Sequence, residues 1–71
     1  MPKINPDALR AIREKDGLSQ PALAARAEVA QSHISRLERE PVEVRPGTLR
    51  RLAVALGVPQ SALVVIEEPV A

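Results

Sequence analysis

Apolar residues recur along this chain in short helical stripes, punctuated by Pro, Gly and Ser. In "NPDALRAIREKDG", Leu9 and Ile12, with Ala8 beside them, form one such stripe. The stretch is framed as a helix. Asn5 stands as N-cap, Pro6 takes the first helical position, Asp7 lies near the positive end of the dipole, and Gly17 supplies a left-handed stop. "LSQPALAARA" repeats the arrangement, with Leu18 as apolar anchor, Ser19 as cap and Pro21 tolerated in the first turn. Leu23, Ala24 and Ala27 share a face, and this helix is expected to end near Ala27. A third helix is predicted from about Gln31 to Arg39 on the anchors Ile34 and Leu37, with Val29 packing just before it. Ala30 occupies its cap position and, having no side-chain oxygen, forgoes about 1 kcal/mol.

"EPVEVRPG", with two prolines and a glycine, reads as a loop. "TLRRLAVALG" is a helix with Leu49, Leu52, Ala53 and Leu56 inward and Gly57 as its stop. "VPQSALVV" predicts a short fifth helix with Leu63 inward, and the β-branched run Val64 to Ile66 allows a short C-terminal strand. The pattern predicts an all-α fold, a compact five-helix bundle joined by short connections.

Seventy-one residues make one domain with a small core. We expect the domain to span residues 1–66 and to be followed by a short acidic C-terminal tail, 67–71. Net charge is +1, but Glu67 and Glu68 lie in the tail, so residues 1–66 carry ten bases against seven acids, or +3. That balance permits nucleic-acid binding. The absence of Phe, Tyr and Trp disfavours single-strand binding, which needs aromatic stacking platforms. Cysteine is absent too, which removes disulfides and thiolate metal sites; His33 stands alone, so neither a metal nor a cofactor is expected. No apolar run approaches the ~20 residues of a membrane span. The expected setting is the cytoplasm of a bacterial cell, on the nucleoid. No nucleophile, base and orienting group fall at useful spacing, so no catalytic residue and no enzyme activity is expected.

The second and third helices, joined across "AEV", meet the demands of a helix-turn-helix. Ala24 is small enough for a steep crossing, Ile34 and Leu37 anchor the second helix, and Gln31 and Ser32 make its start polar. Ser35, Arg36 and Arg39 put hydrogen-bonding and basic groups on its outward flank. The combined pattern is more specific still. Arg13, Gly17-Leu18-Ser19-Gln20, Leu23-Ala24, Val29, Ile34-Ser35-Arg36-Leu37-Glu38, Leu52-Ala53 and Ala55-Leu56-Gly57-Val58 together resemble the phage-repressor and Cro-type helix-turn-helix family over about residues 8 to 65.

The resemblance implies that the third helix enters the DNA major groove and that the protein binds a palindromic operator as a homodimer. It implies base reading by Gln31, Ser32, Ser35 and Arg36, where Gln suits adenine and Arg36 either forks onto guanine or falls short and holds a phosphate. It implies contacts to the DNA backbone by Gln20, His33, Arg39, Arg45 and Thr48, a brace from Gln20 onto a side chain of the third helix, and a structural ion pair between Arg13 and Glu38. Arg50 and Arg51 read as a solvated face. Departures are also visible: Glu28 stands where the family carries Gly in the turn, Ala30 replaces Ser or Thr, and Glu40 and Glu43 bring acid into the following loop.

The function expected is that of a sequence-specific double-stranded DNA-binding transcriptional regulator, a Cro-like repressor acting by operator occupancy. In 71 residues no ligand-sensing domain is expected, leaving control to concentration and dimerisation. The dimer is expected to form through the fifth helix, through Val64, Val65 and Ile66, or both. The alternative is an antitoxin or adaptor module that uses the same fold for protein–protein interaction.

Overall fold

Local signals set where the first two helices begin. In the computed structural model, which describes residues 1–66, α1 (Pro6–Lys15), α2 (Gln20–Ala27), α3 (Gln31–Leu37) and α4 (Pro46–Leu56) follow one another. Asn5 Oδ1 accepts from the backbone N–H groups of Asp7 and Ala8 at 3.1 and 3.2 Å, and Ser19 Oγ accepts from that of Ala22 at 3.1 Å. These oxygens satisfy donors that the first helical turn leaves without partners. α4 starts at Pro46, two residues before the expected Thr48, because proline's fixed φ and missing N–H suit the first turn. α3 ends at Leu37, short of the expected Arg39, with Glu38 as its C-cap.

Two expectations about the C-terminal end are corrected. The predicted fifth helix is a three-residue 3-10 turn, Gln60–Ala62, so the described residues hold four α-helices, not five. Pro59 before it and β-branched Val64 and Val65 after it leave too little chain for an α-turn, although Leu63 is still fully buried. The predicted C-terminal strand is absent among the described residues. Val64 forms only an isolated antiparallel bridge to Ile4, and Lys3 forms another to Glu43.

These bridges belong to a stitch that ties three chain segments together. Ile4 N–H donates to Val42 O (2.9 Å) and Val44 N–H to Pro2 O (2.9 Å), while Asn5 N–H donates to Leu63 O (2.8 Å) and Val65 N–H to Lys3 O (2.8 Å). The extreme N-terminus therefore lies between the α3–α4 loop and the C-terminal segment. Ile4, just ahead of the Asn5 cap, and Leu9 in the first turns of α1 occupy the two positions of a hydrophobic staple, and both are fully buried.

The core combines these residues with Leu23, Ile34, Leu37 and Leu52, all fully buried, and with Val44 and Leu63. α2 lies at its centre and packs against both α3 and α4. Ala24 and Ala27, both buried and small, let those neighbours approach closely. No described helix is long and apolar enough to cross a membrane. The tail expected at residues 67–71 lies outside the described residues.

Candidate nucleic-acid interface

α2, the turn and α3 form one rigid unit because the chain satisfies its backbone at the bend. Glu28 adopts the left-handed conformation (φ 58°, ψ 45°), and the Val29 N–H reaches back to Ala24 O at 3.0 Å. Glu28 is the one non-glycine residue with positive φ among those described. A side chain in this region pays a steric penalty that glycine avoids. Ala30 caps α3 without a side-chain hydrogen bond. What fixes α3 is therefore its buried face, Ile34 and Leu37, and the polar network at its far end.

That network centres on Glu38, which is 2% exposed. Arg13 grips the carboxylate with two parallel hydrogen bonds, Nε to Oε2 at 2.6 Å and Nη2 to Oε1 at 2.9 Å. Its third donor, Nη1, reaches Leu18 O at 2.7 Å, so one guanidinium ties α1 to both the α1–α2 connection and the end of α3. Gln20 Nε2 donates to Glu38 Oε1 at 3.3 Å, and Ser35 Oγ donates to Gln20 Oε1 at 2.8 Å. Burial pushes the Glu38 carboxyl up, but hydrogen bonds from Arg13 and Gln20 and the charges of Arg13 and Arg10 outweigh it and hold the group below its ordinary value. On the other side of the pair, the hydrogen bond to Glu38 raises Arg13 above its ordinary value, against the opposing effect of burial.

Arg10 is a member of this network that the sequence reading passed over. Its Nη2 donates to the Glu38 backbone carbonyl at 2.8 Å, covering an end-of-helix acceptor, and its Nε lies 3.7 Å from Oε1. The available signal was spacing, since Arg10 is three residues before Arg13 and shares its helix face. No buried side-chain nitrogen or oxygen among the described residues lacks a partner.

The outward face of α3 is different in kind. Gln31, Ser32 and Arg36 are exposed, while His33 and Ser35 are half-buried. Arg36 Nε donates to Glu40 Oε1 at 3.1 Å, an exposed pair one turn apart. Arg39 and Arg45 are exposed, and Thr48 is half-buried in the first turn of α4. The structure thus joins Arg13, Gln20, Ser35 and Glu38 in one network. It leaves Gln31, Ser32 and Arg36 as a separate, solvent-facing row. A groove of about 490 Å³ lined by Arg26, Glu28, Arg50, Arg51, Val54 and Ala55 lies elsewhere, between the end of α2 and α4.

A family model described as helix-turn-helix matches residues 9–61. Among solved structures, the chain is similar to the restriction-modification controller protein C.AhdI from Aeromonas hydrophila. That likeness has 30% identity and a TM-score of 0.75 and covers 80% of this chain and 86% of that one. It is also similar in fold to the hypothetical transcription factor NHTF from Neisseria, with 22% identity, a TM-score of 0.71, and coverage of 84% of this chain and 76% of that one. No curated protein sequence matches. With the turn, the anchored α3 and its exposed polar row in place, the family match makes this chain a member of the helix-turn-helix family of DNA-binding transcriptional regulators.

Proposed function

We propose that the protein is a sequence-specific repressor that binds a palindromic operator as a homodimer and acts by occupying it. The observation that carries this reading is the division of α3. Ile34 and Leu37 are fully buried, Glu38 is braced from two other helices, and Gln31, Ser32 and Arg36 face solvent from the same seven-residue element. Rigid support under an exposed polar row is what base reading requires. Gln31 pairs with adenine, Arg36 forks onto guanine O6 and N7, and Ser32 accepts or donates as the base demands. Gln20, His33, Arg39, Arg45 and Thr48 set register on the phosphates, helped by the open N–H groups at the start of α4.

Domain boundaries of 1–66 and a separate acidic tail remain part of this proposal. For the dimer contact, the C-terminal segment offers Ile66, which is 72% exposed, whereas Val64 and Val65 are half-buried and engaged by Ile4 and Lys3 of the same chain. Ile66 is therefore the residue we assign to the two-fold contact. A second reading, an antitoxin or adaptor module, draws on the groove beside Val54, where Arg26, Arg50 and Arg51 surround apolar surface. Random-site selection on the purified protein, followed by gel shift, decides between them. The repressor reading predicts a two-fold symmetric site bound with a Kd on the order of 10⁻⁸ M at physiological salt. Binding without sequence preference sinks it.

A further inference from the structure

The polar network beneath α3 has a direction, and that direction ends at the half-buried Ser35, beside the exposed row of α3. Glu38 is held as a carboxylate and can only accept hydrogen bonds. Gln20 lies 3.3 Å from it and must turn its NH2 group inward, because the reversed amide would set a carbonyl oxygen against the carboxylate. The Gln20 carbonyl is thereby committed to the other side, where it lies 2.8 Å from Ser35 Oγ. Two acceptors cannot bond each other, so the hydroxyl proton of Ser35 points at Gln20. What remains on Ser35 is a pair of acceptor lone pairs.

We infer that Ser35 reads DNA as an acceptor only, and so selects an amino base, adenine or cytosine, on the strand it faces. In the major groove adenine N6 and cytosine N4 donate, whereas guanine O6 and thymine O4 accept. A free serine hydroxyl tolerates either kind by rotating. Here Glu38, through Gln20, removes that freedom, and a residue usually permissive becomes a discriminating one. Glu38 and Gln20 are positioning residues in this scheme; Ser35 makes the contact. Gln20 keeps one N–H beyond its bond to Glu38, so a phosphate contact by the same side chain is compatible with it. The inference rests on the reading of α3 as the base-contacting helix.

The test uses the full chain and the operator obtained by random-site selection, repeated for Ser35→Ala and Gln20→Ala. The operator position whose preference changes in Ser35→Ala is the one that Ser35 faces. There the wild type favours adenine or cytosine over guanine or thymine by about threefold to tenfold, the worth of one neutral hydrogen bond. Gln20→Ala releases the hydroxyl and brings the two kinds of base within about twofold, while Ser35→Ala loses the preference outright. As a check independent of selection, the adenine is replaced by purine, which lacks the 6-amino group, or the cytosine by its 4-deamino analogue. Wild type loses the same factor and Ser35→Ala loses none. The analogue measurement on wild type and Ser35→Ala decides the matter even if Gln20→Ala fails to fold. A keto base preferred at that position, no position altered by Ser35→Ala, or a folded Gln20→Ala with its amino preference intact would each overturn the inference. A wild type with no sequence preference at all would instead overturn the DNA-reading function beneath it.

Discussion

Two arginine–glutamate pairs meet on α3, and they teach opposite lessons about the same chemistry. Arg13–Glu38, at the inner end, has side chains 12% and 1% exposed; Arg36–Glu40, on the outer flank, has 60% and 57%. The inner pair is bidentate, crosses 25 positions of sequence and shares its carboxylate with Gln20. The outer pair is a single contact between residues four apart. An exposed pair of this kind is worth about 0.3–0.5 kcal/mol and is screened by salt. Removing one partner of a buried pair strands a charge that water cannot reach, at about 3–5 kcal/mol. The inner pair holds α3 in place, and the outer pair leaves its arginine at the surface.

The largest expected effect follows from that contrast. Arg13→Ala should destabilise the fold by about 3–5 kcal/mol in chemical denaturation, a large share of the stability of so small a domain. Glu38→Ala should cost less, because Arg13 keeps its bond to Leu18 O and has some access to water, whereas the carboxylate has almost none. An Arg13→Ala cost as small as that of Arg36→Ala would erase the distinction between the pairs.

Acid provides the next separation. Glu38 titrates below its ordinary 4.5 in the folded protein, so its contribution is fully present above about that pH in the unfolded chain's titration. The contribution is lost as pH falls through the lower, folded value. Unfolding free energies from pH 7 down to 2 should show a fall in the wild type that Glu38→Gln lacks in part, with the two curves converging as the solution becomes acidic. Parallel curves would mean that Glu38 is not held as a carboxylate by its partners.

The two pairs also mark what could be read from the chain alone. Caps, apolar stripes and Gly57 are local signals, and the starts of α1 and α2 followed from them directly. Ile4 and Val44 were harder. Each becomes core only through the stitch among residues 2–5, 42–44 and 63–65, and a contact between such distant segments leaves no periodicity within any one of them. The same stitch draws Val64 and Val65 out as a bridged segment rather than a strand, and Pro59 limits the expected fifth helix to one turn. At the site, the resemblance implied that Gln20 braces a side chain of the third helix, but not that the partner is Ser35 or that the bond runs on to Glu38. The order of these bonds depends on where Glu38 is buried, and Arg10's place beside it depends on how α1 crosses the end of α3.

A smaller effect is expected at the start of α3, the end without a polar anchor. Ala30→Ser should add about 1 kcal/mol by supplying the missing cap acceptor. Glu28→Gly should relieve the left-handed strain and stabilise by about 0.5–1 kcal/mol, part of the gain being offset by the freer unfolded chain. Both changes are read as shifts in denaturation midpoint. If Ala30→Ser gained nothing, the inner pair would already be holding the whole helix, and its free first turn would have to be satisfied by water.

The smallest effect on stability belongs to the outer pair, and there stability and binding should part company. Glu40→Gln should alter unfolding by no more than about 0.3–0.5 kcal/mol, since it removes one exposed contact. Yet Glu40 occupies the Nε edge of Arg36 and adds a carboxylate next to the surface proposed to meet phosphates. Its neutralisation should raise affinity for non-specific duplex DNA about two- to fivefold at low salt, a gain that shrinks as salt screens it. Titrations of random-sequence duplex at two ionic strengths measure this. Should Glu40→Gln instead weaken operator binding while leaving non-specific affinity unchanged, Glu40 would be aiming Arg36 at its base rather than restraining it. The outer pair would then join the inner one as support for the reading helix, and exposure alone would no longer separate the two.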